Sequence, residues 1–405
     1  MASLKLNGVD KIYPSGTLAL YDINLEAKDK EFIVIVGGEN SGKSTLLRVV
    51  AGLEEVSSGN IFVGDKDVTE ADPKDRDIAM VFKSSTLYPA LSVFDNMAFG
   101  LRLRKAPQAL IEQRVKSAAE ILGITDVLFR KPKTLSSVQK QRVAIGRAIV
   151  REPRLYLFDE PLSGLDEKLQ AEMLNVIINL QARMEGTFVY ATKNVSEAMT
   201  IGTRIVVLKN GIIQQVDTPS NLYDYPVNAY VAFYIGAPSI NFINKAKIVK
   251  EEDGVYAVGG ELKLKLSDKT LSRFEKLSEY ENTDKNVIVG IRPEDIVVSK
   301  EGLDCTVDKV ESDGDSVYAE CAVAGHNLVV KASGSDKKGE NAKLKIDYER
   351  LYLFDGETRL TLLSRDEAYV KTGYPEADLK PLTYAEEEEV IEKFKPKKQD
   401  KKKKR

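Results

Sequence analysis

The most specific chemistry in this sequence starts at Gly37. The run Gly37-Gly38-Glu39-Asn40-Ser41-Gly42-Lys43-Ser44-Thr45 satisfies G-x-x-x-x-G-K-[ST], the pattern of a loop that cradles nucleotide phosphates. Small residues let backbone N–H groups curl round a β-phosphate, and the N-terminus of the following helix adds partial positive charge. Lys43 supplies a point charge to the β- and γ-phosphates, and Ser44 offers its hydroxyl to Mg2+. Gly37, Asn40, Ser41, Gly42 and Thr45 complete this binding set. A second feature is Asp159-Glu160 at the end of the apolar run Leu155-Tyr156-Leu157-Phe158. There Asp159 suits Mg2+ held through water, and Glu160 suits polarisation of the attacking water. A strand that is only buried gives no reason for two adjacent acids.

These groups need a scaffold, and the pattern around them supplies one. The apolar run Phe32 to Val36 precedes the loop, and the helical spacing of Leu46, Leu47 and Val50 follows it. Further β-branched or apolar runs at Leu155 to Phe158, Thr187 to Ala191 and Ile205 to Leu208 read as strands covered on both faces. Alternation of such runs with helical stretches predicts an α/β fold on a mostly parallel sheet over residues 1–236, with a helical insertion over about 88–150. After Pro238 short alternating strands broken by Gly, Asp and Asn predict an all-β domain of barrel type, residues 237–365. Residues 366–405 are polar and end in Lys401 to Arg405, which predicts a disordered charged tail.

Composition narrows the function. With 405 residues, 43% of them hydrophobic, the chain has ample core for two or three domains. Lys plus Arg is 59 against 62 for Asp plus Glu, so no whole-chain basic field favours nucleic acid. No apolar stretch approaches the ~20 residues needed to span a bilayer, and Met1 is not followed by a signal segment, so a cytoplasmic location is expected. Two cysteines, Cys305 and Cys321, read as buried thiols, and the single His326 leaves little room for a histidine metal centre.

Together the motifs make the chain resemble the ATP-binding subunits of ABC transporters, most closely the maltose-type sugar-importer ATPases, from about Leu4 to Leu363. The resemblance implies a P-loop nucleotide-binding domain followed by an OB-like regulatory β domain, with ATP and Mg2+ as cofactors. It implies that Tyr13 stacks on adenine, that Ser136 and Gln139 belong to the signature, and that Asp166 in Ser163-Gly164-Leu165-Asp166 lies on the D-loop at a dimer interface. Leu87-Tyr88-Pro89 and Asp95 to Gly100 match the family's docking surface for membrane subunits, and Asn228 to Phe242 its hinge. Gly290 to Asp295 and Leu353-Phe354-Asp355 resemble motifs of the regulatory barrel.

Three motifs depart from that pattern. Lys83 replaces the Q-loop glutamine, Lys193 the switch histidine, and Ser137-Val138 two signature glycines. An ammonium at the first position repels Mg2+ and offers a counter-charge to phosphate, so metal dependence should weaken. At the second, Lys193 holds phosphate without orienting the water. Val138 places a branched Cβ where the backbone should approach the opposite subunit's γ-phosphate. Losing one transition-state donor costs about 10²–10³ in rate, and general-base help is worth about 10²–10⁴. The reading is therefore an ATP-binding importer subunit with hydrolysis weak or absent, peripheral on the inner membrane face. It works as a homodimer or with a second ABC ATPase beneath integral membrane subunits. Two rivals stand beside it: a fully active ATPase, and a non-transporting regulatory or scaffold protein.

Overall fold

A run without polar side chains, such as Phe32 to Val36, is stable only as a strand covered on both faces. The structure is a computed structural model describing residues 3–84, 86–184, 186–313, 316–333, 338–364 and 383–393. In it β3 (Phe32–Val36) is buried throughout. It lies within a six-stranded sheet with β6 (Ile78–Val81), β7 (Leu155–Asp159), β8 (Thr187–Thr192), β9 (Arg204–Lys209) and β10 (Ile212–Asp217), ordered β10-β9-β3-β8-β7-β6. All neighbours pair in parallel except β9 with β10. Strands β7 and β8 are buried along their whole length, as their composition requires. Phe188 anchors the layer, its ring centroid 4.7 Å from Tyr156 and 5.5 Å from Phe32 and Phe158. Side chains of this size each add about 1.5–3 kcal/mol when buried.

The parallel register sets Val36 beside Thr192 and Asp159 beside Ala191, so the C-terminal ends of β3, β7 and β8 share one edge. Ligands of open α/β sheets bind outside that edge. From it start α1 (Lys43–Ala51), α5 (Glu167–Met184) and α6 (Val195–Ile201). Between β6 and β7 the chain is helical, with α2 (Val93–Leu103), α3 (Gln108–Ile121) and α4 (Ser137–Ile149). A separate antiparallel sheet, ordered β2-β1-β4-β5, holds β1 (Leu4–Ile12), β2 (Leu18–Ala27), β4 (Ser58–Val63) and β5 (Lys66–Asp67).

The chain divides into one unit built on Met1–Pro219 and another on Ser220–Val390, the boundary falling inside α7 (Pro219–Asp224). The second unit contains two β structures. One is a sheet ordered β13-β12-β11-β14-β20, made of β11 (Asn241–Glu251), β12 (Gly254–Gly259), β13 (Leu262–Leu266), β14 (Val287–Ile291) and β20 (Tyr352–Asp355). The other is a closed barrel, β15 (Ile296–Ser299), β18 (His326–Ala332), β17 (Ser316–Val323), β16 (Leu303–Asp313) and β19 (Asn341–Ile346). Short helices α8 (Ala229–Tyr234) and α9 (Asp268–Ser272) accompany them. Cys305 and Cys321 are buried.

Within this unit Arg292 is fully buried, without a bridging acid among the described residues. Its guanidinium donates to the carbonyls of Ala232 (2.9 Å), Ile235 (2.6 Å) and Tyr223 (2.9 Å), and it lies 4.0 Å from the Tyr223 ring centroid. Carbonyls at the C-terminal end of α8 complement its charge.

In the tail, residues 383–393 differ from the disordered expectation. Helix Tyr384–Lys393 begins at a capping box in which Glu386 N donates to Thr383 Oγ1 (3.2 Å) and Thr383 N to Glu386 Oε2 (2.8 Å). The cap and adjacent carboxylates in the first turn suit a helix N-terminus, a local signal that overall polarity conceals. The remainder, 366–382 and 394–405, lies outside the described residues.

Candidate functional site

The glycine loop joins β3 to α1. Gly42 caps α1 at φ 102°, and no side chain caps the helix, so its first N–H groups remain free for an anion. A Cβ on Gly42 would stand 2.7 Å from the Ala19 carbonyl, so close backbone approach requires glycine there. Asn40 also has a positive φ, 60°. Lys43 Nζ donates to the carbonyls of Gly37 and Gly38, both at 2.8 Å, and to Ser41 Oγ at 3.4 Å. Burial lowers the affinity of Lys43 for its proton, against the pull of Glu160 and Asp159.

Ser44 Oγ donates to Asp159 Oδ1 at 2.8 Å across the α1–β7 gap. Burial raises the Asp159 carboxyl above its ordinary range, partly offset by that hydrogen bond. Among the described residues no group of three or more His, Cys, Asp or Glu forms an all-protein metal cage. A hydroxyl beside one carboxylate is instead the donor set of a Mg2+ that keeps waters and phosphate oxygens as its other ligands, so the residues fit that ion.

Glu160 follows β7 with φ 43°, a left-handed conformation costly for a residue with a Cβ and held by its N–H donating to Ala191 O at 2.9 Å. Its side chain is 12% exposed and lies between two lysines. Lys83 Nζ is 2.7 Å from Oε2, and Lys43 Nζ is 3.8 Å from Oε1. This differs from the expectation of Lys83 facing metal or phosphate: in the protein alone the strongest available counter-charge is the carboxylate on the neighbouring strand. That contact raises the Lys83 pKa, keeping it an ammonium.

Lys193 follows β8 and lies 3.5 Å from Glu39 Oε1 in the glycine loop. Behind it, Asn194 caps α6, and the buried Glu197 accepts through Oε2 from Tyr190 Oη (2.9 Å) and Thr192 Oγ1 (2.8 Å). Sequence reasoning passed over both Glu39 and Glu197. The spacing Asn194-x-x-Glu197 before an apolar pair was an available capping signal for the second.

Tyr13 Oη lies 3.4 Å from Thr45 Oγ1. The Lys11 ammonium, 5.1 Å from the Tyr13 ring centroid, is fixed by Glu54 (3.3 Å) and the Glu55 carbonyl (2.7 Å). Ser136, Gln139 and Asp166 take part in helix starts of their own. Ser136 and Gln139 form the capping box of α4, and Asp166 Oδ1 accepts from Leu169 N at 3.0 Å at the start of α5. Tyr88 is exposed at 44%, with the Phe99 ring 4.6 Å away. No described helix is long and apolar enough to cross a membrane.

Comparison with known proteins agrees with this geometry. Residues 20–163 match the ABC transporter model, 236–296 the MalK OB fold domain and 289–354 the TOBE domain. The oligosaccharides import ATP-binding protein MsmX of Bacillus subtilis is 41% identical over 372 residues, spanning 89% of this chain and all of MsmX. The osmoprotective compounds uptake ATP-binding protein GgtA of Synechocystis is 44% identical over 369 residues, 88% of this chain and 98% of GgtA. Among solved structures, cbiO1 of Clostridium perfringens, part of the ABC transporter complex cbiONQ, superposes with a TM-score of 0.52 at 30% identity. It covers 54% of this chain and 90% of its own. With a phosphate loop, a Ser44–Asp159 pair and this domain succession in one chain, the protein belongs to the ATP-binding subunits of ABC transporters, in the MalK-type branch.

Proposed function

We propose that this chain is the ATP-binding subunit of a carbohydrate importer in which ATP is held well and hydrolysed slowly. The substrate class follows the names of its relatives: MsmX imports oligosaccharides and GgtA takes up osmoprotective compounds. The slow step rests on one observation, the 2.7 Å ion pair between Lys83 and Glu160. A carboxylate committed to an ammonium is a weaker base toward water, and the partner at this position cannot accept a proton in return. Mg2+ held at Ser44 and Asp159 would neutralise charge on the β- and γ-phosphate oxygens. Because Lys43 and Lys193 already carry positive charge to that place, binding needs the ion less than usual.

The subunit acts as a dimer, with itself or with a second ABC ATPase, against integral membrane subunits on the cytoplasmic face. Ser136-Ser137-Val138-Gln139 would face the partner's nucleotide there. The retained Ser44–Asp159 pair favours a second reading, a fully active ATPase. Calorimetry with ATP, with and without Mg2+, together with steady phosphate release from the purified chain, separates them. Binding that survives chelation with little turnover supports the proposal; prompt, strictly Mg2+-dependent turnover overturns it.

A further inference from the structure

Glu39 is the acidic member of the glycine loop, at a position the pattern G-x-x-x-x-G-K-[ST] leaves open. The parallel pairing of β3 with β8, Val36 beside Thr192, brings the loop after β3 against the turn after β8. There Glu39 Oε1 meets Lys193 Nζ at 3.5 Å, with side chains 82% and 57% exposed. The pair therefore sits at the open mouth of the loop, whereas Lys43, held by the Gly37 and Gly38 carbonyls, lies at its floor. Lys193 and Lys83 both act electrostatically on Lys43, and Glu39 acts on Lys83, so all these charges share one small space.

We propose that Glu39 is a specificity-determining residue of the nucleotide site: an internal anion that occupies Lys193 until the terminal phosphate of a nucleoside triphosphate displaces it. The inference rests on the nucleotide reading above and adds a discrimination to it. Phosphate oxygens near Lys43 carry more charge than one carboxylate, so a triphosphate takes Lys193 from Glu39. A diphosphate lacks the group that reaches the mouth, and the Glu39–Lys193 pair stays closed over it. Glu39 thus costs ATP some affinity through lost pairing and leaves ADP nearly unaffected.

The test is a double-mutant cycle on the full chain, with Glu39→Gln, Lys193→Ala and the double variant titrated with ATP and ADP. Glu39 is exposed and, among the described residues, its side chain makes no hydrogen bond besides this pair, so folding should survive; thermal melting checks it. Glu39→Gln should tighten ATP by up to about fivefold, the scale of an exposed ion pair, and ADP by much less. In the Lys193→Ala background the same substitution should lose most of its selective effect on ATP. Equal tightening of ATP and ADP, or an unchanged ATP effect without Lys193, overturns the proposal. If the unsubstituted chain binds no adenine nucleotide at all, the nucleotide reading falls and takes this inference with it.

Discussion

Lys83 Nζ sits 2.7 Å from Glu160 Oε2, joining the end of β6 to the end of β7 through an ion pair whose acid is 12% exposed and whose base is 61% exposed. Lys43 approaches the other carboxylate oxygen at 3.8 Å. The carboxylate proposed to activate water is thus held by two cations.

Replacing Lys83 with glutamine frees that carboxylate. Lys83→Gln should raise steady phosphate release at least about tenfold, part of the roughly 10²–10⁴-fold that general-base help is worth. Adding Glu160→Gln should abolish the gain. A single variant no faster than the parent would show that the ion pair does not limit turnover.

Tyr13 is expected to recognise the base rather than the phosphates. Tyr13→Ala should weaken ATP about tenfold, in line with base–aromatic stacking, while inorganic tripolyphosphate binds as before. Equal losses for both ligands would assign Tyr13 to the loop's architecture through Thr45 instead.

Burial holds the Glu197 carboxyl above its ordinary value of 4.5, although Thr192 and Tyr190 donate to it. The folded protein keeps this proton to higher pH than the unfolded chain does. Folding therefore takes up a proton in the window above 4.5, and stability contributed below it is lost as pH rises through the folded value. Glu197→Gln keeps an acceptor for both hydroxyls without the charge. Denaturant midpoints of the two proteins should draw apart as pH rises from that window, the variant falling less; parallel curves would refute the linkage.

Arg292 holds three carbonyls together inside the second unit. Arg292→Leu should cost about 2–4 kcal/mol, because those acceptors lose their donor in a buried place. Urea unfolding followed by tyrosine fluorescence measures it, and a change under 0.5 kcal/mol, the scale of ordinary surface substitutions, would contradict the role assigned here.

Much of the architecture is visible in the chain's pattern because its central strands are apolar on both faces. Phe32 to Val36 and Thr187 to Ala191 admit little else, and glycine spacing marks the loop between strand and helix. Side-chain pairing is less visible. That Lys83 meets Glu160 depends on β6 lying beside β7, 77 positions apart, and that Lys193 meets Glu39 depends on β8 lying beside β3. Sequence neighbours say nothing of such registers. The helix at Tyr384–Lys393 was hidden for another reason: a polar composition outweighed the local signal of Thr383 and Glu386.

The strand order carries a consequence for synthesis. β3 is flanked by β8 and β9, which the ribosome makes some 150 residues later, so the loop leaves the exit tunnel long before its walls exist. A nascent chain stalled before Thr187 has the glycine loop proposed to contact phosphate but not the sheet that aims it. Grip on ATP should therefore arise late in translation, after Lys209 has emerged, and nucleotide captured on stalled ribosomes would date the closing of the sheet.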